Sequence, residues 1–180
     1  MLSMAAASFL LPFLPLLAKQ ILLNNLLSDL PMLGLPSDRV DPERIERPRR
    51  WRVGPIRDFM LVFGLISSAF DLLTFAALWL LSRGVVEVFR TGWFVESLLT
   101  ELAIVLVVRT RLPIQRSRPG RLLWTSTALV AALTVALPWL PGSGWFDLVP
   151  LPGSVLAVVL AMTLAYAGAS ELAKRRFTLP

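Results

Sequence analysis

Residues 122–140 contain no charged side chain, and that run restricts the chain more than any other feature. A helix of roughly 20 apolar residues crosses the hydrocarbon core of a bilayer, where only helices and closed barrels satisfy every backbone polar group. Further apolar runs occupy 16–35, 59–81, 92–108 and 153–172, separated by polar or proline-containing stretches. The chain is 56% hydrophobic and its mean hydropathy is +0.68, beyond the range of an ordinary soluble domain. A shorter apolar piece, 1–10, ends at the Pro12 and Pro15 turn and makes a helix of about 15 Å, half a hydrocarbon core. The chain therefore reads as an all-α membrane protein of one half transmembrane helix and five full ones. On this reading it begins in the middle of a transmembrane helix. A signal peptide is the alternative for the first segment, but no Lys or Arg precedes the apolar run.

Charge fixes the expected orientation. Counting segments from the half helix, the loops after the second and fourth (37–58 and 109–121) and the tail after the sixth hold seven, five and three basic residues. The opposite side holds Lys19, Arg83 and Arg90. Fifteen against three places both loops and the C-terminus in the cytoplasm by the positive-inside rule. Topology thus accounts for the net charge of +6 without nucleic acid as a partner. The 38–57 stretch, with Arg39, Arg44, Arg47, Arg49, Arg50, Arg52 and Arg57, reads as a solvated loop or a docking surface for another domain.

Within the second segment, polar residues interrupt the apolar pattern. Gln20, Asn24 and Ser28 stack at i, i+4, i+8, and Asn25 and Asp29 form a second pair beside them. An ionised Asp near a bilayer centre costs roughly 2.5–3.5 kcal/mol, so such a residue needs a partner or a task. Pro31, Gly34 and Pro36 then hinder the helical ladder and free backbone carbonyls nearby. The third segment hides Asp71 on a face with Ser67 and Thr74, for ion binding or for hydrogen bonds to a neighbouring helix. The fourth carries Glu96 and Glu101, five apart and about 140° around the axis, which is too far to face one site. Glu96 is expected in water near the helix end, and Glu101 deeper, on a cation path or in packing. In the sixth, Ala165, Ala167, Gly168 and Ala169 suit close helix packing. Cys and His are both absent, which removes thiolate and imidazole ligands, disulfides and Cys- or His-based catalysis. Carboxylates, amides, hydroxyls and carbonyls remain, a set suited to magnesium or calcium.

Several motifs in order carry a family resemblance. Asn25-Leu26-Leu27-Ser28-Asp29 resembles the Asn-Leu-x-x-Asp core of the sixth transmembrane helix of P-type cation ATPases. Val40-Asp41-Pro42-Glu43-Arg44-Ile45-Glu46-Arg47-Pro48-Arg49-Arg50-Trp51 resembles the cytoplasmic loop that follows it. Ser67-Ser68-Ala69-Phe70-Asp71-Leu72-Leu73-Thr74-Phe75, Gly92-Trp93-Phe94, and Arg109-Thr110-Arg111 with Pro113-Ile114-Gln115-Arg116-Ser117 are similar to the bacterial magnesium-importing branch.

The resemblance implies that residues 1–180 are the C-terminal transmembrane domain of such a pump, from the second half of its fifth membrane helix through its tenth. It implies Asn25 and Asp29 as cation ligands, with Ser28 adjoining, and Mg2+ as the transported ion; Asn24, Asp71 and Glu101, read from their places in apolar helices, are expected as a secondary cation path or structural polar groups. It implies the bacterial inner membrane as location, and as partners the lipid bilayer and the missing N-terminal half of the pump. Nothing in the sequence matches the phosphorylation loop, the dephosphorylation motif or a nucleotide-binding domain, so no ATP site is expected and the chain alone is not expected to hydrolyse ATP. A non-enzymatic accessory subunit packed on a complete pump is the alternative. Asp29→Asn is expected to reduce magnesium-dependent growth far more than Glu96→Gln.

Overall fold

The computed structural model describes Ala7 and residues 11–38, 53–110 and 119–178. The half helix expected at 1–10, most of the first basic loop and the centre of the second lie outside the described residues. Five α-helices follow one another: α1 (Ala18–Met32), α2 (Val53–Leu81), α3 (Val86–Val108), α4 (Arg121–Ala136) and α5 (Gly153–Thr178). Short 3-10 turns stand at Leu35–Ser37, Leu137–Trp139 and Ser143–Phe146, and the described residues contain no strand. Four helices, α2 to α5 with α4 extended to Trp139, are long and apolar enough to cross a membrane.

α1 departs from the expected full span. Its 15 residues rise about 22 Å, short of a hydrocarbon core of about 30 Å. Pro31 sits inside its last turn and has no N–H to give the ladder, and the chain then tightens, with Leu33 N–H bonded to Leu30 O and Gly34 N–H to Pro31 O. Residues 11–17 are irregular, as the two prolines require. Phe13 anchors that segment, edge-on to Phe89 at 5.2 Å between ring centres, and Arg90 Nε donates to Leu14 O at 2.9 Å.

α3 is the centre of the bundle and packs against all four other helices; α2 and α5 pair on one side of it and α1 and α4 on the other. Phe89, Phe94, Val95 and Leu98 are fully buried. Phe75 of α2 lies 4.3 Å from the Trp93 ring centre. Gly92 allows this proximity, since a Cβ there would meet Leu78 Cδ2 at 2.6 Å. The small residues of α5 do not form the expected seam: Gly168 and Ala165 are exposed, and a Cβ on Gly168 meets nothing within 4 Å. The face that α5 turns inward carries Val155, Val159, Tyr166, Ser170 and Lys174, spaced at whole helical turns.

Polar contacts close both ends of the bundle. At one end Asp38 accepts from Arg109 Nη1 at 2.9 Å and from the Gly120 N–H at 2.6 Å, joining the exit of α1 to the end of α3 and the entry of α4. Beside it Lys174 Nζ donates to Val107 O at 3.0 Å, so a buried lysine of α5 satisfies a terminal carbonyl of α3. At the other end Gln20 donates to Phe146 O at 2.9 Å, and Thr91 Oγ1 accepts from Val149 N–H at 3.0 Å. The basic ends of α3 and α5 thus share one end of the bundle with the exit of α1.

Candidate functional site

An open cavity of about 320 Å³ lies between α1, α2, α3 and α5. Its polar wall comprises Asn24 and Asn25 from α1, Ser67 and Asp71 from α2, Glu96, Ser97, Thr100 and Glu101 from α3, and Tyr166 from α5. Every donor atom is oxygen or amide nitrogen, and the described residues hold no group of three or more His, Cys, Asp or Glu side chains arranged for a metal ion. Such a wall suits a hard cation that keeps part of its water shell and takes one or two carboxylates.

α1 contributes by its registry against α3. Asn24 Nδ2 donates to Glu101 Oε2 at 3.0 Å, while Ser97 Oγ donates to Asn24 Oδ1 at 3.3 Å. The amide is thereby oriented by two α3 side chains one turn apart. Gln20, a turn earlier, is fully buried and faces the 146–147 turn and the Leu17 N–H instead of the cavity. Ser28 is buried and donates to Asn25 O at 3.1 Å.

Asn25 and Asp29 occupy the outer face of α1, together with the exposed Leu22 and Leu26. Asn25 reaches the cavity rim; Asp29 is exposed and stands outside its lining. The structure therefore brings Asn24, Asn25, Asp71 and Glu101 to one cavity and leaves Asp29 and Ser28 off its wall.

Glu96 overturns its sequence reading. α3 starts at Val86, so Glu96 lies ten residues, about 15 Å, inside the helix, and it is 1% exposed. It accepts from Thr74 Oγ1 of α2 at 3.3 Å. Glu96 and Glu101 also line one cavity despite their angular separation, because the cavity wraps α3: Glu101 turns to α1 and Glu96 to α2. Glu96 is accordingly unsuited as the inert control for Asp29→Asn. On α2, Ser67 and Thr74 both bond neighbouring helices, Ser67 through Tyr166 Oη at 2.9 Å. Tyr166 gave no signal in the sequence; a lone phenol on an apolar helix was the cue available.

The family model described as "Cation transporting ATPase, C-terminus" matches residues 13–176. Magnesium-transporting ATPase, P-type 1, of Salmonella typhimurium strain LT2 is 38% identical over 177 residues, covering 96% of this chain and 20% of the relative. The protein of the same name from Escherichia coli strain K12 is 37% identical over 177 residues, with the same coverage. The chain spans about a fifth of the length of these curated relatives. It is a multi-pass membrane protein by its helices and its relatives. With the family model covering nearly all of it, the chain belongs to the C-terminal domain family of cation-transporting P-type ATPases.

Proposed function

We propose that this chain is the C-terminal membrane portion of a magnesium-transporting P-type ATPase of the bacterial inner membrane, and that it supplies part of the intramembrane cation site. The observation that carries the reading is the oxygen-lined cavity between α1, α2, α3 and α5 in a chain of this family. Asn25 and Asp29 are the ligands on α1, with Ser28 as their neighbour and Asn24, Asp71 and Glu101 as the polar surround. Magnesium is the cargo that the relatives' names support, and the lack of Cys and His agrees with an oxygen-seeking ion. Asp29 is exposed on α1, as suits a ligand set completed by helices from the rest of a longer pump. Phosphoryl transfer belongs to that remainder, since this chain has no acceptor loop or nucleotide cradle. Its task is to hold the ion while the remainder supplies the energy. The basic end of the bundle lies in the cytoplasm, by the charge asymmetry of the loops.

The test grafts this chain onto the Salmonella relative in place of the matching C-terminal fifth, in cells that need the pump to grow in low magnesium. The unmodified chimera restores growth. Asp29→Asn abolishes it at equal membrane abundance, and Glu87→Gln, at an exposed position outside the cavity, has no effect. Growth of the Asp29→Asn chimera equal to that of its parent would refute the assignment, as would failure of the unmodified chimera.

A further inference from the structure

The connector from α4 to α5 carries no charge before Asp147, yet it turns large apolar side chains outward. Trp139 is 47% exposed and Trp145 83%, with Leu140 exposed between them. Their orientation is fixed from the inside. Pro138 and Leu148 are buried, Phe146 packs against the core, and Gln20 of α1 donates to Phe146 O at 2.9 Å. Five N–H groups between Leu140 and Leu148 donate to carbonyls of residues 137–144, and Pro138 and Pro141 have no N–H to satisfy. A loop in water has no need of such closure, whereas a segment in a low-dielectric layer must supply it. The spanning helix then gives the depth. From Arg121 to Trp139 it runs 19 residues, a rise of about 28 Å against a hydrocarbon core of about 30 Å. Trp124, also exposed, stands near its start, and Leu129 and Leu133 face outward between the two tryptophans. With Arg121 at one headgroup layer, Trp139 and the connector reach the other.

We propose that the 137–147 connector is an interfacial anchor. It lies in the headgroup–acyl boundary of the leaflet away from the basic ends of α3 and α5, with the Trp139 and Trp145 indoles inserted among the lipids. Indole suits that layer, because an apolar body with a single N–H at its edge is satisfied where hydrocarbon meets headgroups. Exposed apolar surface of this kind marks either a protein partner or a membrane. Three observations favour lipid. The connector sits at the end of a helix whose length matches the hydrocarbon core. The outward leucines of α4 lead up to it without a polar break in that face. Its one charge, Asp147, is already engaged by Lys19 at 2.6 Å, which leaves no ionic handle by which a protein partner would be selected. Elements of this type bury their apolar face about 5–10 Å into the boundary.

The chain has no Cys, so one introduced thiol carries one spin label. A Cβ at Gly144 meets nothing within 4 Å, so Gly144→Cys labels the connector and keeps both tryptophans. The full chain in phosphatidylcholine nanodiscs is read by power-saturation electron paramagnetic resonance. The two relaxing agents are oxygen, which concentrates in lipid, and a nickel chelate, which stays in water. Reference labels are Leu129→Cys, on the outward face of α4, and Arg83→Cys, in the exposed turn between α2 and α3. The oxygen-to-nickel accessibility ratio of the Gly144→Cys label exceeds that of Arg83→Cys and approaches that of Leu129→Cys. Changing Trp139 and Trp145 together to Ser lowers it to the Arg83→Cys value. A ratio equal to that of Arg83→Cys with both tryptophans in place overturns the proposal in favour of a solvated loop. Shielding from both agents overturns it in favour of a protein partner or a second copy. A lipid-range ratio that the double change leaves unmoved also overturns it, since the tryptophans then hold nothing. If the double change loses helical circular dichroism, Trp145→Ser alone decides, and an unshifted label overturns the proposal.

Discussion

Asp38→Ala strikes the polar end of the bundle at a carboxylate held by two partners. The Asp38 carboxylate is bound by the Arg109 guanidinium at 2.9 Å and the Gly120 N–H at 2.6 Å, with side-chain exposures of 9% and 3% for the Asp and Arg. Removing one partner of a buried ion pair costs about 3–5 kcal/mol, against about 0–1 for an exposed pair. The Gly120 N–H adds about 1–3 kcal/mol if it stays buried and unmet. These terms share one carboxylate and do not sum, so about 3–5 kcal/mol is the expected loss. Asp38→Asn keeps the shape and one acceptor and falls between. The Asp38→Leu and Arg109→Leu double change removes both charges and regains most of the loss. Reversible unfolding in mixed micelles, followed by circular dichroism at fixed lipid composition, measures all four proteins. A loss under 1 kcal/mol for Asp38→Ala, or a double change as unstable as the single, would refute the reasoning.

Three further outcomes follow from the same geometry. Gly34→Ala places a Cβ 3.0 Å from the Leu123 Cα and N, backbone atoms that do not swing aside, and is expected to destabilise by about 1–3 kcal/mol in the same unfolding measurement; an unchanged midpoint would contradict the close approach of α4. Thr91→Val removes the acceptor of the Val149 N–H and is expected to cost about 1–3 kcal/mol, visible as accelerated hydrogen exchange at that amide. Lys19→Gln breaks a 2.6 Å pair with Asp147, but with side chains 42% and 48% exposed the loss is expected to stay below about 1 kcal/mol at physiological salt; a larger loss would show the pair shielded from solvent.

The sequence was most informative where lipid dictates composition. The charge-free stretch at 122–140 became α4 and its 3-10 extension, and the prolines at 12 and 15 gave the irregular entry to α1. The start of α3 was missed because Glu87 and Arg90 look like loop residues. At a helix end, however, Glu87 stays exposed and Arg90 reaches the Leu14 carbonyl, so both fit inside a helix that begins at Val86. That shift of six residues carried Glu96 from expected water into the interior. α1 was read as too long because its apolar composition continues past Met32, while the proline that stops it acts through a missing N–H. Partners such as Asn24 and Glu101, 77 residues apart, depend on helix registry, which periodicity within one segment does not encode. The small residues of α5 misled for the same reason, since small side chains allow close approach without requiring it.

The anchoring of α1 limits how that helix can move. Gln20 fastens its first turn to the 146–147 bend, and Asp38 fastens the chain beyond its last turn to Arg109 and Gly120. A piston stroke would tear both fastenings together. Turning the helix about its axis would likewise break the Gln20 bond and the Asn24 bonds to Glu101 and Ser97. A bend at Pro31, where the ladder already lacks a rung, is the one motion that spares them, so α1 is pinned in both depth and rotation and is free to flex only at its exit.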